Sequence, residues 1–284
     1  MVEEYQRQIR IVQSQMGNMT LCRGDRGKLL YQAGAIPALV STLAEILDRL
    51  PPPKKAIANE HEQVVVLATC CWGAIRDLSC HNANVRAAVR TCDDSHDNGL
   101  NLMTRYVSFY ESTPWQDIAS RQHLSLLTSV IGAIRNVSHS TGQNCVELYE
   151  NGISSLLSWR LLHSGPELPD VTQPWREAAF RAGACLINIS EKCPECAREC
   201  ARNVTLLHIL IEVWGGKATK TMKAPMLHLG LAAILNAAKE ELPPEAYDQS
   251  WNDILMNEEK RKQRARRFEQ ARKEQQSHKQ GSSK

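Results

Sequence analysis

One short pattern, written five times, constrains the fold of this chain more than any other feature. The copies are Met16-Gly17-Asn18-Met19-Thr20, Ile75-Arg76-Asp77-Leu78-Ser79, Ile134-Arg135-Asn136-Val137-Ser138, Leu186-Ile187-Asn188-Ile189-Ser190 and Ile234-Leu235-Asn236-Ala237-Ala238. Each sets one apolar residue two places before an Asn or Asp and another directly after it. The anchors at 18, 77, 136, 188 and 236 lie 59, 59, 52 and 48 residues apart. Self-similarity on this scale marks an array of helical units, each burying against its neighbours a face that it cannot bury alone.

The register continues upstream of each anchor. Positions −9, −6, −2 and +1 hold Ile9, Val12, Met16 and Met19 in the first copy, then Ala68, Cys71, Ile75 and Leu78. The third and fourth copies give Leu127, Val130, Ile134 and Val137, then Ala179, Ala182, Leu186 and Ile189. The fifth gives Leu227, Gly230, Ile234 and Ala237, with Gly230 as its weakest member. Steps of three and four residues put each set on one stripe of a helix.

Between these long helices the chain repeats a plan. A short helix near 25–33 is stopped by Gly34, a second runs over 36–50 to Pro51-Pro52-Pro53, and a third covers 61–79. The same succession is expected over 82–91, 100–111 and 119–138, then 143–150, 153–162 and 175–190, then 194–202, 204–214 and 223–238. Gly34 and Gly152 both fall 16 residues after their Asn, while the second unit reaches Gly99 six residues late, an insertion. Residues 1–240 therefore form one all-α domain, a leading helix over 2–20 followed by about four three-helix units. A chain starting inside a unit is expected to be a fragment or to need a partner there.

Composition narrows the class. With 43% hydrophobic residues but only 5% aromatic ones, the stripes are filled by Ala, Leu, Ile and Val, as close helix packing prefers. No apolar run approaches a membrane span, and Met-Val-Glu-Glu-Tyr-Gln is no signal peptide. The ten cysteines sit mostly inside expected helices, which suits a reduced, cytoplasmic protein better than a disulfide scaffold. Of four Asn-x-Ser/Thr sequons, at Asn18, Asn136, Asn188 and Asn203, three are the repeat motif itself. The net charge of +3 is uneven: residues 257–284 hold ten Lys/Arg and four Asp/Glu, or +6, leaving −3 on the body. The segment 241–284 thus reads as a charged helix or disordered tail. Its run Lys260-Arg261-Lys262-Gln263-Arg264-Ala265-Arg266-Arg267 would, as a localisation signal, add the nucleus to the cytoplasm.

The three-helix unit, "GAIPALVSTL" at Gly34–Leu43, and the endings "GAIRDLS" at Gly73–Ser79 and "GAIRNVS" at Gly132–Ser138 together resemble the armadillo-repeat family. The likeness covers roughly residues 2–238, and "GAIRNVSHSTGQNCVELYENGISSLL" is similar to the repeats of adenomatous polyposis coli and the catenins. The resemblance implies a right-handed α-solenoid whose third helices line a concave groove. It also implies that the repeat Asn hydrogen-bonds the backbone of an extended peptide held there. That role would fall to Asn18, Asn136, Asn188 and Asn236, while Asp77 accepts but has no amide to donate. Nuclear-import receptors of the superfamily place a Trp four residues before the Asn. Here Ser14, Gly73, Gly132, Ala184 and Ala232 stand there, so the slots that grip lysine stems are missing.

Each candidate site residue has a structural alternative. The repeat Asn clamps a ligand or bridges neighbouring helix ends, since buried polar groups need partners, and the two roles can hold at once. Arg76 and Arg135 precede their anchors, and Arg181 lies seven before Asn188. Together they form a basic track for an acidic or phosphorylated peptide, or else are solvated arginines paired locally. Cys193-Pro-Glu-Cys196-Ala-Arg-Glu-Cys200 puts three sulfurs on one helical face, but zinc wants four ligands and no second pair is visible. Packing thiols is the simpler reading, and no cofactor is expected. No histidine is spaced from a Ser, Cys or carboxylate as a catalytic set requires, and no Gly-rich phosphate loop follows a strand. The expected function is that of a non-catalytic protein-binding scaffold. The alternative is nucleic-acid or anionic-membrane association through the basic tail.

Overall fold

The computed structural model describes residues 25–54, 59–80, 82–92, 98–114, 117–118, 120–163, 175–215 and 225–243. Among these residues there are twelve α-helices and no strand. The leading helix expected over 2–20, with Asn18, and the tail from 244 onward lie outside the described residues. None of the described helices is long and apolar enough to cross a membrane.

The helices come in threes. The first unit holds α1 (Asp25–Gln32), α2 (Ala35–Leu47) and α3 (Asn59–Ser79). The second holds α4 (Ala83–Thr91), α5 (Gly99–Ser108) and α6 (Arg121–Ser138). The third holds α7 (Gly142–Glu150), α8 (Ile153–Leu162) and α9 (Arg176–Lys192). The fourth holds α10 (Pro194–Arg202), α11 (Val204–Leu210) and α12 (Pro225–Glu241). Between α1 and α2, and again between α7 and α8, the chain turns through a glycine in the left-handed region, Gly34 at φ 78° and Gly152 at φ 82°. A side chain there would be strained, which is why glycine recurs at the same register. The second unit makes this corner differently: Asn98 caps α5 by accepting from the Leu100 and Asn101 amides.

Third helices stack on third helices, α3 on α6, α6 on α9 and α9 on α12. Second helices do the same, α2 on α5, α5 on α8 and α8 on α11. Every described side chain of the sequence stripes on α3, α6 and α9 is buried, from Ala68 and Cys71 through to Leu186 and Ile189. The middle helices are enclosed on nearly every side. In α9 the run Ala182, Gly183, Ala184 and Cys185 is buried on all faces, because small residues let neighbours on both flanks come close.

Two joints depart from the regular plan. Trp72 of α3 is fully buried and meets Tyr106 of α5 edge-on, with ring centroids 5.2 Å apart, so this indole belongs to the core. Five residues before Asn188, where α3 has Trp72, α9 has Gly183, and the ring of Trp214 fills the vacant place. To deliver it, the chain leaves α-helical winding after Leu210 and makes one π-type turn, Ile211–Gly215. Trp214 then stacks on Phe180 of α9, with centroids 5.2 Å apart. The second joint is between α9 and α12, where Gly230 lies directly against the Ile187 carbonyl. Its weakness as a stripe member has this reason: no larger residue fits.

Candidate partner-binding face

The repeat anchors sit where third helices end. The last four carbonyls of a helix have no partner within it, and in a stack these ends are buried. The sequence answers with side chains. The Arg76 carbonyl, in the last turn of α3, accepts from Asn136 Nδ2 of α6 at 2.7 Å and from Ser79 Oγ at 3.0 Å. One unit later the Arg135 carbonyl accepts from Asn188 Nδ2 of α9 at 3.1 Å and from Ser138 Oγ at 3.1 Å. The motif's Asn and its Ser two residues on therefore close the same carbonyl from different repeats. The first helix of each next unit completes the caps: Arg86 Nη1 donates to the Ser79 carbonyl at 3.0 Å, and Asn144 Nδ2 donates to that of Val137 at 3.0 Å.

Asn136 and Asn188 both perform the helix-bridging role. Asn188 is 5% exposed, and Asn136 is half-buried. Asp77 has no amide and cannot make such a bridge to a helix before it. It turns instead to Arg76, whose Nε lies 2.8 Å from Oδ1. Asn236 is exposed, because at the α9–α12 joint Gly230 rather than the Asn meets the equivalent carbonyl.

The arginines converge on α6. Arg181 of α9 reaches back to donate to the Thr128 carbonyl at 3.2 Å and is paired with Glu177. Further along, Cys185 Sγ donates to the Ile131 carbonyl at 3.4 Å. Burial pushes the Cys185 thiol up to about 12, with Arg135 and Arg181 close enough to oppose the rise. Arg181 and Arg76 both press on Gly132, from α9 and α3 respectively. Arg76 and Arg181 thus form one patch at Gly132, and Arg135, one turn on, acts with Arg181 on Cys185. The centre of the patch, Gly132, and its carboxylate Glu177 were not among the sequence candidates. The glycine four residues before Asn136 was the available signal.

The cysteine motif of α10 is a packed thiol cluster. Cys193, Cys196 and Cys200 are buried, and Ser190 Oγ donates to Cys196 Sγ at 3.4 Å. Burial raises the Cys193 thiol, and a hydrogen bond to Cys200 followed by burial raises that of Cys196. Among the described residues no three His, Cys, Asp or Glu side chains are disposed to hold a metal.

Set against protein-family models, curated proteins and solved structures, the chain matches none.

Proposed function

We propose that this chain is a non-catalytic scaffold, an armadillo-type right-handed α-solenoid that holds an extended partner segment along the outward edges of its third helices. One observation carries the reading. The third helices stack on one another, and across that stack Arg76 and Arg181 meet at Gly132 while Arg135 acts with Arg181 on Cys185. Stacked repeats that expose a common edge suit a long ligand better than a small one. The likeness of the motifs to catenin-type repeats supports the same function and a cytoplasmic site of action, with the nucleus as a second compartment.

The bridging role of Asn136 and Asn188 bears on how the ligand is held. Each amide donates one N–H to a helix carbonyl and keeps a second N–H and its Oδ1, so bridging leaves the group able to meet a ligand backbone, with arginine charge beside it. The test compares the full chain with a variant ending at 256 on an array of extended peptides. Capture that survives the deletion is expected. Capture lost with the tail, and steeply weakened by salt beforehand, would instead assign binding to the basic segment.

A further inference from the structure

We infer that the partner is anchored at one point, by a side-chain carboxylate of an acidic extended segment seated over Gly132 between Arg76, Arg135 and Arg181. This rests on the scaffold reading and specifies the chemistry of its ligand. Residue 132 has no side chain, and the place of its Cβ is taken by Arg181 Nη1 from one neighbouring helix and by Arg76 Cδ, at 2.9 Å, from the other. A single glycine thus lets two arginine side chains, from opposite sides of α6, approach the same point. Such an approach is unfavourable unless anions answer it.

Two anions do, one each: Asp77 on Arg76 and Glu177 on Arg181. Arg135, one turn beyond Gly132, pairs with no carboxylate among the described residues. Two of the three arginines thus have a carboxylate, while Arg135, which acts with Arg181 on the Cys185 thiol, leaves one positive charge unanswered. The Arg76 and Arg181 side chains are 27% and 18% exposed, accessible to a ligand yet partly shielded from salt. A carboxylate matches both the missing charge and the planar fork of an arginine.

Fluorescence anisotropy with the full chain tests this. The probes are labelled peptides of alternating Glu and Ser, their counterparts with Gln or Lys in place of Glu, and one with phosphoserine in place of Glu. The Glu peptide is expected to bind and the Gln and Lys peptides to fail. Arg135→Gln should weaken binding by at least about tenfold. Gly132→Ala should do likewise with stability near that of wild type, since its methyl displaces the Arg181 end and the Arg76 stem and the alanine replaces a poor helix former. Glu177→Gln should tighten binding by freeing Arg181. Equal binding of the Glu and Gln peptides, or indifference to Arg135→Gln, would overturn the anchor and leave the scaffold standing. Binding of the phosphopeptide alone would overturn the carboxylate. No binding by any peptide would overturn both readings.

Discussion

An asparagine amide that donates to a helix-end carbonyl cannot be exchanged freely for its nearest relatives. Asn188 is buried and serves the Arg135 carbonyl. Asn188→Ala is expected to cost about 1–2 kcal/mol, because a buried acceptor loses a donor. Asn188→Asp should cost more at neutral pH, since a carboxylate then faces a carbonyl oxygen with nothing to donate. As pH falls and the acid takes up its proton it regains a donor, so the gap between the Asp and Ala variants should close. Urea unfolding followed by circular dichroism at two pH values checks both the order and its pH dependence. Asp77 shows the natural form of the same chemistry: lacking the amide, it pairs with Arg76. Sequence alone identified these anchors but not their partners. An amide suits a peptide backbone and a helix carbonyl equally, and which one is near depends on the register of a helix about fifty residues away.

Between elements, three glycines separate contact with flexible side chains from contact with rigid groups. Gly132→Ala meets arginine side chains that can move and removes a poor helix former, so stability should stay within about 1 kcal/mol of wild type. Gly230→Ala meets the Ile187 carbonyl, and Gly183→Ala meets the Trp214 ring. Each should cost about 2 kcal/mol or more, because packed backbone and a packed indole cannot yield. Thermal melts of the three variants read the contrast directly. The joint of α5, α6 and α8 adds a pH dependence. His123 is buried beside Phe109, and its Nδ1 shares a hydrogen bond with the Tyr110 hydroxyl, 2.7 Å away. Arg160 of α8 donates to the Tyr110 and Thr113 carbonyls. Burial lowers the His123 pKa from 6.5 to about 4, against a small opposing effect of the Pro51 backbone. The unfolded chain therefore binds the proton more readily between those values. Stability should be complete above about pH 6.5 and fall by up to about 3 kcal/mol on the way down to pH 4, a slope that His123→Gln should remove. The helices themselves were legible in the sequence, since a period of 3.6 over long stripes and glycines at a fixed offset are local signals. The π-type turn at Ile211–Gly215 was not, because it answers a vacancy at Gly183 on another helix.

At the scale of the whole molecule, stability and binding share one geometry. Each unit is held by its neighbours, third helix on third helix, so a defect at one joint should loosen adjacent units more than distant ones. The final joint depends on the close contact at Gly230, while the surface pair of Arg202 with Glu241, at 2.9 Å, is exposed enough to contribute little. The same stacking brings α3, α6 and α9 side by side, with Arg76 and Arg181 meeting at Gly132. The most direct measurement is photo-crosslinking of the Glu–Ser peptide to the full chain, with the attachment points mapped by mass spectrometry. Attachment on α3, α6 and α9, around Arg76, Arg135 and Arg181, is the expected result. Attachment on α2, α5 and α8, or only within residues 257–284, would contradict it.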